Sequence, residues 1–253
     1  MIHLKSAREI EKIRASCRIA AEAMMRVREA VAPGVSTAEL DAVADSYIRS
    51  RGAVASAKGY RGYPASICVS INEVIVHGIP GRRRLAEGDI VAVDIAARKD
   101  GFHGDMNVSF AVGETSGEAR DLLMTTREGM EIGLRACEAG RRLGDVGHAI
   151  QEFVEGRGYS IVREYCGHGI GRDFHEEPQL LHFGTPETGR RLQPGVVFTV
   201  EPMVNAGGPE VRLLDDEWTA VTLDGSLSAQ FEHTVAVTAE GPDVLSRFDD
   251  LPF

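Results

Sequence analysis

Apolar residues recur at steps of three and four from Ile10 through Ile13, Cys17, Ala20, Met24 and Val27 to Val31. That period predicts an amphipathic helix. Ahead of it, Ser6-Ala7-Arg8-Glu9 has the form S-x-x-E, in which two side chains satisfy otherwise orphan backbone N–H groups. Pro33-Gly34 ends the pattern. A second helix is expected after Ser36-Thr37, with Leu40, Val43, Ala44, Tyr47 and Ile48 on its apolar face and Gly52 as its stop. Strand-like runs follow at 65–70, 90–97 and 106–112.

The plan then repeats. A long helix is predicted over 117–137, and a shorter one carrying Val146, Ile150, Phe153 and Val154 ends at Gly158. Strands are expected at 161–165, 196–200, 218–223 and 230–238. Adding 106 maps Gly34 onto Gly140, Leu40 onto Val146, Ala44 onto Ile150, Tyr47 onto Phe153, Ile48 onto Val154 and Gly52 onto Gly158. Such self-similarity predicts two related α+β halves, 1–113 and 114–253. No Pro/Ser-rich linker separates them, so they are expected to pack as a single domain over 1–253, with a site between them.

Composition narrows the function classes. Of 253 residues, 43% are hydrophobic and 26% charged, the balance of a folded chain. No apolar run approaches the roughly 20 residues that cross a bilayer, and the N-terminus alternates charged with apolar residues, so neither a membrane span nor a secretory signal is expected. The 28 Lys and Arg against 38 Asp and Glu leave a formal charge of −10. That balance speaks against a nucleic-acid partner, whose phosphates must be neutralised. The short clusters Arg82-Arg83-Arg84, Arg141-Arg142 and Arg190-Arg191 read as solvated charges. Cys17, Cys68, Cys137 and Cys166 form no C-x-x-C pair, which fits reduced thiols in a cytoplasmic protein.

The chemistry starts at Asp94, set in the apolar run Ile90-Val91-Ala92-Val93-Asp94-Ile95-Ala96. Arg98-Lys99-Asp100-Gly101 signals a turn, and Asp105 lies just beyond it. A hairpin folded at Lys99-Asp100 sets Asp94 opposite Asp105 on one face. Like charges so placed repel. A metal ion between them, a protonated Asp, or an Arg pairing with both would each relieve that. Glu201 closes the apolar run Val196-Val197-Phe198-Thr199-Val200, and Glu232 sits in Phe231-Glu232-His233-Thr234-Val235. His168 lies between glycines in Cys166-Gly167-His168-Gly169-Ile170-Gly171, which would let a backbone or a ligand approach closely. Four carboxylates and one imidazole carry about −4, which two divalent cations sharing a hydroxide would balance to about −1. Oxygen donors with one nitrogen suit Mn, Fe, Co or Zn. Water activated between two such ions points to hydrolysis.

Five segments, in order, resemble type I methionine aminopeptidase. They are Asn72-Glu73-Val74-Ile75-Val76-His77-Gly78-Ile79-Pro80; Asp94 and Asp105 within VDIAARKDGFHGD; Gly167-His168-Gly169-Ile170-Gly171 with His175; Thr199-Val200-Glu201-Pro202-Met203; and Ser228-Ala229-Gln230-Phe231-Glu232-His233-Thr234. The resemblance runs from the first helix to about Thr238. It implies the α+β pita-bread fold, two pseudo-symmetric halves around a dinuclear metal site. It also implies that Asp105 and Glu232 bridge two metal ions, Asp94 completes one site, and His168 and Glu201 complete the other. Glu201 would also handle the proton of the attacking water. His77 and His175 match histidines that contact the scissile peptide and stabilise the charge on its carbonyl oxygen. Tyr60, Tyr63, Cys68, Phe174 and Trp218 match positions lining the methionine pocket, where aromatic and sulfur contacts suit a thioether.

The activity so implied is removal of the initiator methionine from peptides and nascent chains, by attack of a metal-bridging hydroxide on the first peptide carbonyl. A cytoplasmic monomer is expected, with transient ribosome contact as the family implies. Two positions depart from the family pattern: Met106-Asn107 follows Asp105 where a small hydroxyl residue is usual, and Ala96 stands where Thr is frequent. Both bear on metal affinity more than on the reaction. The interval from His168 to Glu201 leaves no room for the insertion that marks type II. Three rival readings remain: an Xaa-Pro aminopeptidase or prolidase, which shares the ligands but generally carries a separate N-terminal domain that this chain is expected to lack; a metal-free binding module of the same fold; and a two-metal phosphoesterase.

Overall fold

The computed structural model describes residues 2–248. Helix α1 (Ala7–Ala30) starts where expected: the Ser6 hydroxyl accepts from the Glu9 N–H, and the Glu9 carboxylate accepts from the Ser6 N–H at 3.0 Å. Helix α2 (Thr37–Ser50) repeats the device with Ser36 and Glu39. Caps of this kind contribute about 1 kcal/mol each. Helix α3 (Gly117–Ala136) is capped by Ser116, and α4 (Leu143–Glu155) begins with Asp145 accepting from the Arg142 N–H.

The first half supplies strands β1 (Val54–Ala55), β2 (Cys68–Ile71), β3 (Val74–Val76), β4 (Ile90–Lys99) and β5 (Phe102–Ala111). The second supplies β6 (Ser160–Ile161), β7 (Gly167–Gly169), β8 (Glu176–Leu180), β9 (Val197–Val200), β10 (Met203–Asn205), β11 (Val211–Leu213), β12 (Ala220–Thr222), β13 (Ser228–Gln230), β14 (Glu232–Val237) and β15 (Pro242–Val244). A nine-stranded sheet runs β1-β4-β5-β14-β9-β7-β8, with β2 on β4 and β15 on β14. Two three-stranded sheets, β13-β10-β6 and β11-β12-β3, complete the α+β architecture.

The hairpin register differs from expectation. Its turn is Asp100-Gly101, with φ of 49° and 81°. Positive φ at both central residues makes the two-residue turn whose twist matches the strands, and Gly at the second position favours it. The register therefore shifts by two: Asp94 faces Asn107 and Ala96 faces Asp105. Because side chains alternate with period two, both carboxylates still share a face. Other strands are shorter or divided. That expected over 230–238 breaks at Phe231, where β13 pairs with β10 while β14 joins β5, β9 and β15. Those expected over 161–165 and 218–223 contract to β6 and β12.

Alternation sorts the central strands into a core face and a site face. Val93, Ile95, Ala97, Met106 and Val108 pack with residues of α1 and α2. Gly104 lies so close to α1 that a Cβ there would come within 2.3 Å of the Cys17 nitrogen. Asp94, Ala96, Asp105 and Asn107 take the opposite face. In the second half Phe198, Val200, Val235 and Val237 pack with α3 and α4, which leaves Thr199, Glu201 and Glu232 on the alternate side.

The sequence repeat is also a repeat of backbone contacts. Gly34 and Gly140 have φ of 93° and 95°. The Gly34 N–H donates to Leu85 O at 2.7 Å and the Gly140 N–H to Leu192 O at 2.9 Å. Leu85 and Leu192 each return an N–H at 2.8 Å, to Val35 O and Arg141 O.

Candidate metal centre and active-site cavity

All the residues singled out from the sequence line one cavity of about 600 Å³: His77, Asp94, Asp105, His168, His175, Glu201 and Glu232, with Tyr60, Tyr63, Cys68, Phe174 and Trp218. The first half delivers Asp94 and Asp105 on β4 and β5. The second delivers His168 on β7, Glu201 just after β9, and Glu232 at the start of β14.

One donor atom each from Asp105, His168 and Glu232 lie within 4.8 Å of one another. Asp94 stands within hydrogen-bonding reach of Asp105, and Glu201 Oε1 is 3.7 Å from His168 Nε2. His168 Nδ1 is 3.0 Å from Gly169 O. A carbonyl can only accept, so this contact puts the ring proton on Nδ1 and leaves Nε2 as a bare lone pair. That lone pair points at carboxylate oxygens of Asp105 and Glu201, each 3.7 Å away. Asp105 Oδ1 and Glu232 Oε1 are buried without a hydrogen-bond partner. A cluster of lone pairs with no proton or cation among them is repulsive. Burial pushes Asp94 up to about 7 and Glu201 up to about 8. Burial, and after it the charges of the other carboxylates, raise Asp105 and Glu232 well above the usual carboxylate range. The donor set suits hard or borderline divalent cations.

Neighbouring polar groups hold the donors. Thr199 Oγ1 donates to Glu201 Oε1 at 2.5 Å, Gln230 Nε2 donates to Glu201 Oε2 at 3.2 Å, and the Glu201 N–H donates to His182 Nε2 at 3.1 Å. Asn107 donates to Gln230 Oε1 at 2.9 Å, so Gln230 is itself oriented. Sequence reasoning assigned no role to Thr199, Gln230 or His182, and noted Asn107 only as a departure from the family pattern. Thr199 and Gln230 each precede a carboxylate by two residues, a spacing that in extended chain puts neighbours on one side, although the break at Phe231 separates Gln230 on β13 from Glu232 on β14. Ala96 faces Asp105 and offers it no hydroxyl. The glycines beside His168 serve the backbone: a Cβ on Gly167 would lie 2.3 Å from Thr199 O, and one on Gly169 2.2 Å from Glu177 O.

The rest of the cavity is aromatic. His77 follows β3 with φ of 59°, a rare conformation for a non-glycine residue. Its ring meets Tyr165 and Trp218 edge-on. The His175 ring lies 4.0 Å from that of His168 and 5.0 Å from Tyr60, on which it stacks. Burial pulls His77 down to about 4; His175, though partly open to solvent, is lowered to about 3 by desolvation within the cavity and by the neighbouring His168 and His77, so both are neutral at physiological pH. Tyr63 meets Trp218 edge-on at 5.0 Å, and its hydroxyl donates to Gly78 O at 2.9 Å. With its polar end so satisfied, Tyr63 turns an apolar ring to the cavity beside Cys68.

Comparison with known proteins identifies the family. Residues 11–239 match the description of metallopeptidase family M24. The methionine aminopeptidase of Escherichia coli K12 is 50% identical over 98% of this chain and 96% of its own length, and methionine aminopeptidase 1 of Bacillus subtilis is 48% identical over 98% and 100%.

This chain belongs to the M24 metallopeptidases.

Within the family, the full-length identities place it with the methionine aminopeptidases. The crystal structure of the Rickettsia prowazekii methionine aminopeptidase superposes with a TM-score of 0.96 at 41% identity, covering 98% of this chain and 100% of that one. An Xaa-Pro dipeptidase from Bacillus anthracis shares the pita-bread fold at a TM-score of 0.80, but at 24% identity and over 62% of its own chain. As an M24 metallopeptidase the chain is a hydrolase that uses divalent metal. Among the described residues, no helix is long and apolar enough to cross a membrane.

Proposed function

We propose that this chain removes N-terminal methionine from peptides and nascent proteins, with the whole chain acting as one catalytic unit. The observation that carries the reading is the meeting of five metal-type donors, two neutral histidines and an aromatic–thiol pocket on a single cavity. Asp94, Asp105, His168, Glu201 and Glu232 would hold two divalent cations, drawn from Co, Mn, Fe or Zn. Bound there, such ions supply Lewis acidity, polarising a peptide carbonyl and lowering the pKa of water.

The protein's own groups do the rest. Tyr63, Cys68 and Trp218, with Tyr60 and Phe174, receive the methionine thioether and fix the first peptide bond beside the carboxylates. His77 and His175 stay neutral, so each can donate an N–H to the carbonyl oxygen as charge develops on it. Glu201, held through both oxygens by Thr199 and Gln230, takes a proton from the attacking water and passes it to the departing amine.

The reading extends to a cytoplasmic monomer that meets new chain ends near the ribosome. Four cysteines without disulfides fit a reducing compartment. The experiment is an assay of metal-stripped protein, given Mn, Fe, Co or Zn in turn, on Met-Ala-Ser and Ala-Pro peptides. Methionine release that depends on added metal is the expected result. Cleavage of Ala-Pro alone would assign the chain to the proline-specific branch. No cleavage despite bound metal would leave a binding module.

A further inference from the structure

His175 sits on a tight turn, and the turn is clamped from behind by a residue distant in sequence. The Lys5 ammonium hydrogen-bonds the Glu176 carboxylate, and their side chains are only 2% and 14% exposed. Glu176 Oε1 also accepts the Asp173 N–H at 3.1 Å, and the Gly171 N–H donates to Asp173 O at 3.2 Å. The pair crosses directly over Gly171, where a Cβ would lie 2.6 Å from Lys5 Cε and 2.7 Å from Glu176 Oε1. Lys5 is itself tied down, its N–H donating to Gly195 O at 2.7 Å. Burial pushes the Glu176 carboxyl up, but Lys5 and the backbone N–H groups of the turn outweigh it and hold the group below its ordinary value.

A buried pair of this kind contributes little net stability, while removing one partner strands the other charge. What it fixes here is geometry. Glu176 is the next residue after His175, and the turn it closes presents Phe174 and His175 to the cavity, their rings 4.4 Å apart. We propose that Lys5 is a positioning residue for His175, acting through Glu176. The segment ahead of α1 thereby sets the angle at which His175 meets the scissile carbonyl. The inference rests on the role given to His175 above.

The test is steady-state kinetics on Met-Ala-Ser, with bound metal measured, for Glu176→Gln and Lys5→Met, each alone and combined with His175→Ala. Glu176→Gln keeps the shape of the side chain and is the variant expected to fold most readily. Either change should lower kcat about tenfold, as a misplaced catalytic group does, with KM and metal content within about twofold of the parent. Neither should cost anything further once His175 is absent. An equal loss in both backgrounds, or an unchanged kcat, would overturn the assignment. Failure of both variants to fold would make the pair a folding element and overturn it too. Parental activity in His175→Ala alone would sink the reading of the site, and Lys5 with it, whereas the other outcomes touch Lys5 only.

Discussion

The Thr199 hydroxyl donates a hydrogen bond to Glu201 Oε1 at 2.5 Å, while Thr199 Oγ1 itself accepts the His168 N–H at 2.9 Å. One side chain thus orients two of the proposed ligands. Thr199→Val keeps the shape and removes the donor. Metal affinity should fall roughly 10–100-fold, as for other groups that orient ligands, by titration of metal-stripped protein. An unchanged affinity would show that Glu201 needs no such support.

Glu232→Ala should abolish metal-dependent activity. It should also stabilise the metal-free protein, because it removes a buried carboxylate that Asp105, Glu201 and Asp94 all repel. A rise of a few degrees in Tm is expected, the scale that about 1 kcal/mol produces at this size. Melting curves in chelator decide the point, and a lower Tm would contradict it.

His175→Ala should lower kcat roughly 10²-fold, the usual effect of losing an oxyanion donor, with metal content unchanged. Metal analysis alongside kinetics separates the roles. An emptied site would mean that His175 is a ligand.

The metal-free protein should show a stability maximum between roughly pH 6.5 and 7. Asp94 and Glu201, raised by burial to about 7 and about 8, contribute stability that is lost as pH rises through those values. The buried histidines act with the opposite sign. Burial lowers His77 and His168 to about 4 and His182 and His233 to about 3, so their contribution is present above 6.5 and lost as pH falls. Saturating divalent cation should flatten the alkaline limb, and because His168 and the carboxylates must be deprotonated to hold it, it should also steepen the acid limb. Melting temperatures from pH 5 to 9 with chelator or metal test this, and an alkaline limb indifferent to metal would refute it.

Gly104→Ala should destabilise the fold without touching the cavity. The added methyl would drive into the α1 backbone at Cys17, and overpacking of this kind costs about 1–3 kcal/mol. A Tm unchanged from the parent would mean that α1 shifts freely.

Much of this was legible in the sequence. The capping boxes at Ser6 and Ser36 announced both first-half helices, because a helix start has a local chemical signature. The carboxylates stood out because a charge inside an apolar strand demands a partner. The hairpin register did not, since Lys99-Asp100 and Asp100-Gly101 both read as turns and only backbone φ separates them. Nor did the break at Phe231, because alternation tells which face a residue takes and not which neighbouring strand it joins. Thr199 was silent for another reason: a hydroxyl on a strand is commonplace until its partner is known. Lys5 looked like any charged residue near a chain end.

Asp94 and Asp105 come from one half of the repeat, and His168, Glu201 and Glu232 from the other. Ions held by both sets would act as a clasp. At a hundredfold excess over Kd, each ion so held would add about 2.7 kcal/mol in favour of the folded molecule. Stripped of its ions, the same seam becomes a line of mutual repulsion. On the proposed site, the supply of divalent metal would therefore set how stable the folded chain is as well as how fast it turns over, and starvation for metal should shorten the lifetime of the protein itself.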